Sequence, residues 1–99
     1  MNLLPTNYKR GRSAEYKVKR RLEALGYRWI IRSAASHTPV DLLCSNGSEI
    51  LAVQVKAGLS HYISQREKRS LIKWAECFNA KPILARRRGG RWVLEEVPW

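Results

Sequence analysis

The stretch that decides the fold is Val40-Asp41-Leu42-Leu43-Cys44, followed after Asn46-Gly47 by Glu49-Ile50-Leu51-Ala52-Val53-Gln54-Val55-Lys56-Ala57. Asn-Gly between two apolar segments is typical of a tight hairpin turn. We therefore predict two strands, over residues 40–44 and 49–57. Because side chains alternate along a strand, Val53 and Val55 should lie on one face, and Gln54 and Lys56 on the other.

One helix should precede this hairpin and another should follow it. Over residues 8–25 apolar side chains recur at helical spacing, and Gly26 is placed to end that helix. The apolar stripe consists of Ala14, Val18, Leu22 and Leu25. Downstream, Ser64-Gln65-Arg66-Glu67 matches the capping box that begins a helix. That helix should end near Asn79 and bury Leu71, Ile72, Ala75 and Phe78.

Three further strands complete the predicted order αβββαββ. They cover residues 27–33, 82–85 and 92–97, and Gly89-Gly90 marks a turn between the last two. In the first of them, Trp29 and Ile31 should share a face opposite Ile30. Hairpins with helices packed against them predict an α/β protein with a mixed sheet and an α+β-like order. We expect a flexible N-terminal arm over residues 1–7 and a single domain over residues 8–99.

The charge of the chain indicates a polyanionic partner. Its 99 residues include 19 Lys and Arg against 8 Asp and Glu, a formal net charge of +11. An anionic membrane surface and an acidic protein are possible partners, but nucleic acid is favoured because the cations are spread through folded segments. No run approaches the roughly 20 apolar residues of a membrane span. Cys44 and Cys77 lie in apolar stretches, so we expect them to be reduced and buried in a cytoplasmic protein.

Oxygen ligands for a divalent metal lie beside a lysine in the predicted hairpin. Asp41 supplies a carboxylate, while the side chain of Gln54 and the backbone of Val55 supply neutral carbonyl oxygens, and such ligands suit Mg²⁺. Lys56 can orient an attacking water and stabilise charge on a phosphate. Alone, Asp41 can equally cap a turn and Lys56 can be a solvated lysine. Together, in a basic chain, they indicate a metal-dependent enzyme that cuts nucleic acid.

Glu15 is the second candidate carboxylate. It is one of two acids in a predicted helix that carries seven basic residues. Glu15 lies on the same side of that helix as Val18 and Leu22, so it borders the buried stripe and can point towards Asp41. The alternative is a surface ion pair with Lys19, one turn further along the helix.

Other candidate residues have both a structural and a functional interpretation. Ser33 is either a hydrogen-bonding residue at the end of a strand or an active-site residue. His37 is either a solvated loop residue or a phosphate contact. Arg86-Arg87-Arg88 forms either an exposed hairpin tip or a DNA contact. Trp74 and Trp99 either cover a partner subunit or pack in the core or at its rim.

The pattern Asp41…Gln54-Val55-Lys56 resembles the PD-(D/E)xK nuclease signature. More narrowly, the chain resembles the archaeal-type Holliday junction resolvases, which also occur in viruses. The matching stretches are Lys9-Arg10-Gly11-Arg12-Ser13-Ala14-Glu15, Arg32-Ser33-Ala34-Ala35-Ser36, Val40-Asp41-Leu42-Leu43 and Val53-Gln54-Val55-Lys56. The downstream helix and strands follow in the family's order, so the resemblance covers nearly the whole chain.

The resemblance implies a restriction-endonuclease-like nuclease core that works as a symmetric homodimer. It implies metal-ligand positions at Glu15, Asp41 and Gln54, a catalytic lysine at Lys56, and a serine near the active site at Ser33. The basic residues that match positions near bound DNA are Arg10, Arg12 and Arg32, and Lys9 lies in the same stretch. The basic first helix and the loops around residues 58–62 and 86–91, including Arg86, Arg87 and Arg88, are expected to form the DNA surface.

Gln54 is the one departure from the family's pattern. The family usually has Glu there, although related nucleases of the superfamily use Gln. The neutral amide removes one negative charge beside the metal, so Mg²⁺ should bind more weakly.

We therefore expect a Mg²⁺-dependent, structure-selective endodeoxyribonuclease that resolves four-way junctions by paired symmetric nicks. Mn²⁺ is expected to substitute for Mg²⁺. The expected partner is branched double-stranded DNA, and the expected location is the cytoplasm of a prokaryote or a virus-infected cell, with no membrane contact. The alternatives are another repair- or restriction-type nuclease of the superfamily and a junction-binding module that does not cut.

Overall fold

Five strands form one sheet in the part of the chain that the structure describes, and one helix lies on each face of it. The computed structural model describes residues 6–33, 37–58 and 62–98, with side chains from residue 12 onward. The elements are α1 (Thr6–Ala24), β1 (Trp29–Arg32), β2 (Leu42–Ser45), β3 (Ile50–Lys56), α2 (Gln65–Cys77), β4 (Lys81–Arg88) and β5 (Arg91–Glu96). The predicted order αβββαββ is confirmed.

The sheet is mixed, as predicted, and its strands lie in the order β1-β2-β3-β4-β5. The pairs β1–β2, β2–β3 and β4–β5 are antiparallel, and β3–β4 is parallel. Two parallel strands cannot be joined by a tight turn, so the chain crosses over through α2 between them. This crossover brings the beginning of α2 towards the end at which β3 finishes.

Alternation along β3 divides the core into two layers. Val53 and Leu51 pack with Val18 and Leu22 of α1 on one face. Ala52 packs with Leu71 and Ala75 of α2 on the other face. Because Gln54 and Lys56 follow Ala52 at intervals of two, they belong to the α2 face of the sheet.

Local hydrogen bonds explain where the central elements begin and end. Gly26, with φ +99°, ends α1, and Gly47, with φ +94°, occupies the turn between β2 and β3. The Asn46 side chain accepts hydrogen bonds from two backbone N–H groups of that turn. The N–H of Glu67 donates to the Ser64 hydroxyl at 3.1 Å, so the predicted cap of α2 is confirmed.

Three side chains that we predicted to be buried are exposed. Leu25 lies beyond the end of α1, in the turn before Gly26, and is 51% exposed. Phe78 likewise falls one residue beyond α2, so it leaves the apolar stripe of that helix. Cys77 faces solvent at the end of α2, whereas Cys44 is buried in β2 as predicted. Both predicted helices were therefore extended past the residue at which helical geometry ends.

The boundaries of the predicted elements also differ by up to three residues from those observed, and the differences at α1 and β4 change the description most. Helix α1 begins at Thr6 and so includes the last two residues of the predicted arm, while residues 1–5 and Trp99 lie outside the described residues. Strand β4 extends to Arg88 because its pairing with β5 continues as far as Arg88 opposite Arg91. Neither helix of the described chain has an apolar stretch long enough to span a membrane.

Candidate active site

Asp41 is held between two strands at one end of the sheet. It directly precedes β2, and its backbone N–H donates to the carbonyl oxygen of Val53 at 2.8 Å. Its carboxylate oxygen Oδ2 accepts from the backbone N–H of Val55 at 2.7 Å. Its carbonyl oxygen accepts from the N–H of Ser33 at 2.9 Å. Asp41 thus contacts both chain neighbours of Gln54, and the hairpin brings these predicted site residues together.

The Asp41 carboxyl occupies a partly dehydrated position. Burial raises its pKa from 3.8 to about 6, and the negative charge of Glu15 contributes to the increase. The hydrogen bond from Val55 and the positive charges of Lys56 and Arg32 lower the pKa without cancelling that increase. The influence of the Glu15 charge on the pKa of Asp41 fits a Glu15 side chain that points towards the same end of the sheet, as its helical position allows.

Glu15 forms an ion pair with the last residue of β1. Its Oε1 atom lies 2.6 Å from Nε of Arg32, and the Glu15 side chain is only 18% exposed. The surface ion pair with Lys19, which the sequence left open, does not form in the described chain; Glu15 pairs with Arg32 instead. The structure therefore brings two predicted site residues, one acidic and one basic, into direct contact.

Gln54 and Lys56 lie next to each other on the α2 face of β3, but their polar atoms have different surroundings. The Oε1 atom of Gln54 is buried and accepts no hydrogen bond within the described residues. The Nζ atom of Lys56 lies 2.6 Å from Oε2 of Glu67. A buried carbonyl oxygen without a hydrogen-bond donor is uncommon in proteins, so Gln54 Oε1 is available as a ligand for a cation.

Sequence reasoning did not assign Glu67 to the site. It lies in the first turn of α2, and the ion pair with Lys56 is the main cause that lowers the pKa of its carboxyl, with smaller contributions from hydrogen bonds to Ser64. The capping box identified this residue as the start of a helix. Only the crossover between β3 and β4, however, places that helix start beside Lys56.

The remaining residues that we predicted near DNA do not all lie on one surface of the protein. Arg86 and Arg88 both contact Glu95, at 2.6 and 3.3 Å, on the α2 face, while Arg87 lies on the α1 face beside Trp92. The three arginines end β4, and Gly89-Gly90 forms the hairpin tip. Arg12 and His37 are exposed. The side chains of Lys9 and Arg10 lie outside the described residues.

The oxygen atoms at this end of the sheet fit a hard divalent cation. No three Asp, Glu, His or Cys side chains within the described residues are grouped to hold a metal ion. The ligands would therefore be the carboxylates of Asp41 and Glu15, completed by neutral oxygens and water, which Mg²⁺ accepts. Gln54 Oε1 is one such neutral oxygen, and the backbone carbonyl of Val55 remains a predicted one. A cation there would also offset the repulsion between the two carboxylates.

Replacing Asp41 with Asn should stabilise the protein when no metal is present. The folded pKa of about 6 exceeds the unfolded value of 3.8. The folded state therefore binds the proton more tightly, and the stability that this group contributes at low pH is lost as the pH rises through 6. Asp41→Asn should raise the free energy of unfolding by up to about 3 kcal/mol at about pH 8, with the difference vanishing below about pH 3.

Urea denaturation at several pH values in EDTA measures this difference. Glu76→Gln, a matched loss of one carboxylate on the exposed side of α2, should change stability by less than about 0.5 kcal/mol. Equal stability of Asp41→Asn and the wild-type protein at both pH values would contradict the dehydration of Asp41.

Comparisons with known proteins agree on one family. The family described as archaeal Holliday junction resolvase (Hjc) matches residues 6–97. The crossover junction endodeoxyribonuclease Hjc of Methanocaldococcus jannaschii is 36% identical over 89 residues, which are 88% of this chain and 65% of that relative. The chain thus spans just under two thirds of the length of this curated relative.

The solved structures show the same fold. The crystal structure of Hjc from Archaeoglobus fulgidus, a Holliday junction resolvase, superposes with a TM-score of 0.73 at 28% identity. The match covers 88% of this chain and 77% of that one. The nuclease core predicted from the sequence is thereby confirmed, and the chain belongs to the archaeal Holliday junction resolvase (Hjc) family.

Proposed function

We propose that this protein is a metal-dependent endodeoxyribonuclease that resolves four-way DNA junctions by paired symmetric nicks. One observation carries the proposal: the backbone N–H of Val55 fixes the Asp41 carboxylate against β3, the strand that also carries Lys56 and the buried Gln54 Oε1, which accepts no hydrogen bond among the described residues. Membership of the Hjc family supports the junction as substrate. The proposed metal is Mg²⁺, with Mn²⁺ able to replace it, and the proposed location is the cytoplasm.

Each residue of the site has a defined task in this proposal. Asp41, Glu15 and Gln54, with the carbonyl oxygen of Val55, would hold the metal. When bound, the metal polarises a phosphoryl oxygen and lowers the pKa of its water. The proton on Asp41 must leave before the carboxylate can bind a cation, so activity should decline below about pH 6.

The ammonium group of Lys56 is positioned by an ion pair with Glu67 and can exchange this partner for a phosphate. Its ion pair with Glu67 is partly exposed on both sides, with side-chain exposures of 26% and 40%. Such pairs contribute only about 0–1 kcal/mol, so moving the ammonium group to an incoming phosphate costs little. Arg32, already bound to Glu15, would face the same DNA strand, and Ser33 would stabilise Asp41 through its backbone N–H.

Paired nicks require two equivalent active sites at a fixed separation, which a two-fold dimer provides. An apolar groove of about 210 Å³ on the α2 face supports this arrangement. Ile31, Trp74 and Phe78 line the groove and are all exposed in the single chain. We propose that a second copy of the chain covers it, because exposed apolar side chains in one patch mark protein interfaces.

The neutral side chain of Gln54 favours one second candidate function, a junction-binding protein that does not cut. It lacks the negative charge that a carboxylate would supply to the metal. Against this candidate, the carboxylates of Asp41 and Glu15 and the ammonium group of Lys56 all occupy the same end of the sheet. A DNA-binding role alone needs none of the carboxylates, which repel phosphate.

Replacing Asp41 with Asn should abolish cleavage without weakening junction binding. We expect the single-turnover cleavage rate of a labelled junction in Mg²⁺ to fall by about a thousandfold or more, since a principal metal ligand is lost. Affinity measured in EDTA should stay the same or rise, because one negative charge is removed near the phosphates. Glu76→Gln should cut at the wild-type rate, and retained cleavage by Asp41→Asn would show that the site is elsewhere.

Replacing Gln54 with Glu should strengthen Mg²⁺ binding in the absence of DNA. A carboxylate in place of the amide should tighten the dissociation constant by about tenfold, which corresponds to about 1.4 kcal/mol. Calorimetric titration with Mg²⁺ measures the change. The other glutamine, Gln65, is exposed on α2, so Gln65→Glu makes the same chemical change outside the site. If both variants bind Mg²⁺ as the wild-type protein does, Gln54 is not a metal ligand.

A further inference from the structure

A wide groove between α1 and β5 is lined by cations that the proposed active site does not use. Its volume is about 770 Å³, and it lies on the α1 face of the sheet. We call this surface the basic groove. Its walls carry Lys17, Arg20 and Arg21 from α1 and Arg91 from β5, and its apolar floor includes Leu25 and Trp92.

The four cations of the basic groove lack an ion-pair partner in the part of the chain that the structure describes. All four are exposed, and none of them takes part in any of the ion pairs in the described part of the chain. The basic residues that do form ion pairs there are Arg32, Lys56, Lys81, Arg86 and Arg88. Other described cations, such as Arg69 and Lys73 on α2, also form no ion pair, but those of the basic groove converge on one concave surface from two different elements.

Helix stability does not explain why these cations are together. Lys17 lies three and four residues before Arg20 and Arg21, and like charges at these spacings destabilise a helix by about 0.2–0.5 kcal/mol per pair. The helix dipole favours a cation in the last turn, which accounts for Arg21. It accounts neither for Lys17 nor for Arg91, which comes from a different element. An external anion would remove the repulsion among all four.

A cationic path joins the basic groove to the active-site end of the sheet. A smaller pocket of about 110 Å³ shares Lys17 and Trp92 with the groove and is also lined by Arg87 and Ala57. Ala57 directly follows Lys56. One extended polyanion can therefore lie along the α1 face and reach the site, which a small anion or an isolated acidic side chain cannot do.

We propose that the basic groove binds the phosphate backbone of a duplex arm of the same DNA that is cut at the active site. This inference rests on the proposed nuclease function and adds a second contact to it. Phosphate contacts of this kind position a duplex without reading its bases. In a junction enzyme, they would fix the direction in which one arm leaves the site.

The test replaces one cation from each wall of the basic groove, in the variant Arg20→Ala/Arg91→Ala. Binding of a labelled four-way junction in EDTA is measured across a range of salt concentrations. Affinity should fall at least about tenfold, and the slope of log K against log salt should become shallower by about 1.8, since each phosphate contact contributes about 0.9.

Two further variants show whether position and charge are responsible. Arg69→Ala/Lys73→Ala removes the same charge from the exposed side of α2 and should leave the affinity and the slope unchanged. Arg20→Lys/Arg91→Lys keeps the charges and should retain the wild-type slope. An equal loss in the α2 variant, or wild-type binding by the Ala variant of the groove, would overturn the inference while leaving the nuclease function intact.

Two other outcomes have a separate meaning. Groove-dependent binding to vesicles that contain phosphatidylserine, with unchanged junction binding, would assign the basic groove to a membrane surface and overturn the inference. Failure of the wild-type protein to cut the junction in Mg²⁺ or Mn²⁺ would instead contradict the proposed function. The binding measurements in EDTA do not depend on cleavage, so the two failures can be told apart.

Discussion

The hydrogen bond from the backbone N–H of Val55 to the carboxylate of Asp41 is the interaction on which the site depends. It fixes the carboxylate at the end of β3, where burial and the charge of Glu15 raise the pKa of Asp41 to about 6. Above about pH 6, the folded protein therefore keeps the Asp41 carboxylate ionised in surroundings that disfavour a negative charge. That conflict costs stability in the single chain, and a divalent cation at the same position would relieve it.

The parallel pairing of β3 and β4 determines which charged side chains lie next to each other at this end of the sheet. Because Lys56 and Arg86 are direct neighbours across that pair, two cations lie side by side on the α2 face. Each has its own carboxylate partner, Glu67 for Lys56 and Glu95 for Arg86. On the α1 face, Arg32 is likewise paired with Glu15, whereas the four cations of the basic groove form no ion pair with the residues that the structure describes. The paired cations are thus held in fixed positions, and those of the basic groove are available for the anion that we propose to bind there.

Local sequence patterns predicted the parts of the fold that depend on neighbouring residues. Alternation along β3 correctly placed Gln54 and Lys56 on one face, and the capping box correctly began α2. The prediction that Leu25 and Phe78 are buried was wrong, because the spacing of apolar residues alone does not show where a helix ends. The contact between Lys56 and Glu67 could not be predicted, since it depends on the crossover that joins β3 to β4. The division of Arg86, Arg87 and Arg88 between two faces likewise depends on pairing with β5.

The central claim is that the Asp41 site cuts branched DNA, and one cleavage assay tests it most directly. The wild-type protein is incubated with a labelled four-way junction and with a linear duplex of the same sequence, in Mg²⁺ and in EDTA. We expect symmetric nicks in two opposing strands of the junction, only in Mg²⁺, and no cuts in the duplex. Equal cutting of the duplex, or tight junction binding with no nick in Mg²⁺ or Mn²⁺, would contradict the proposed function.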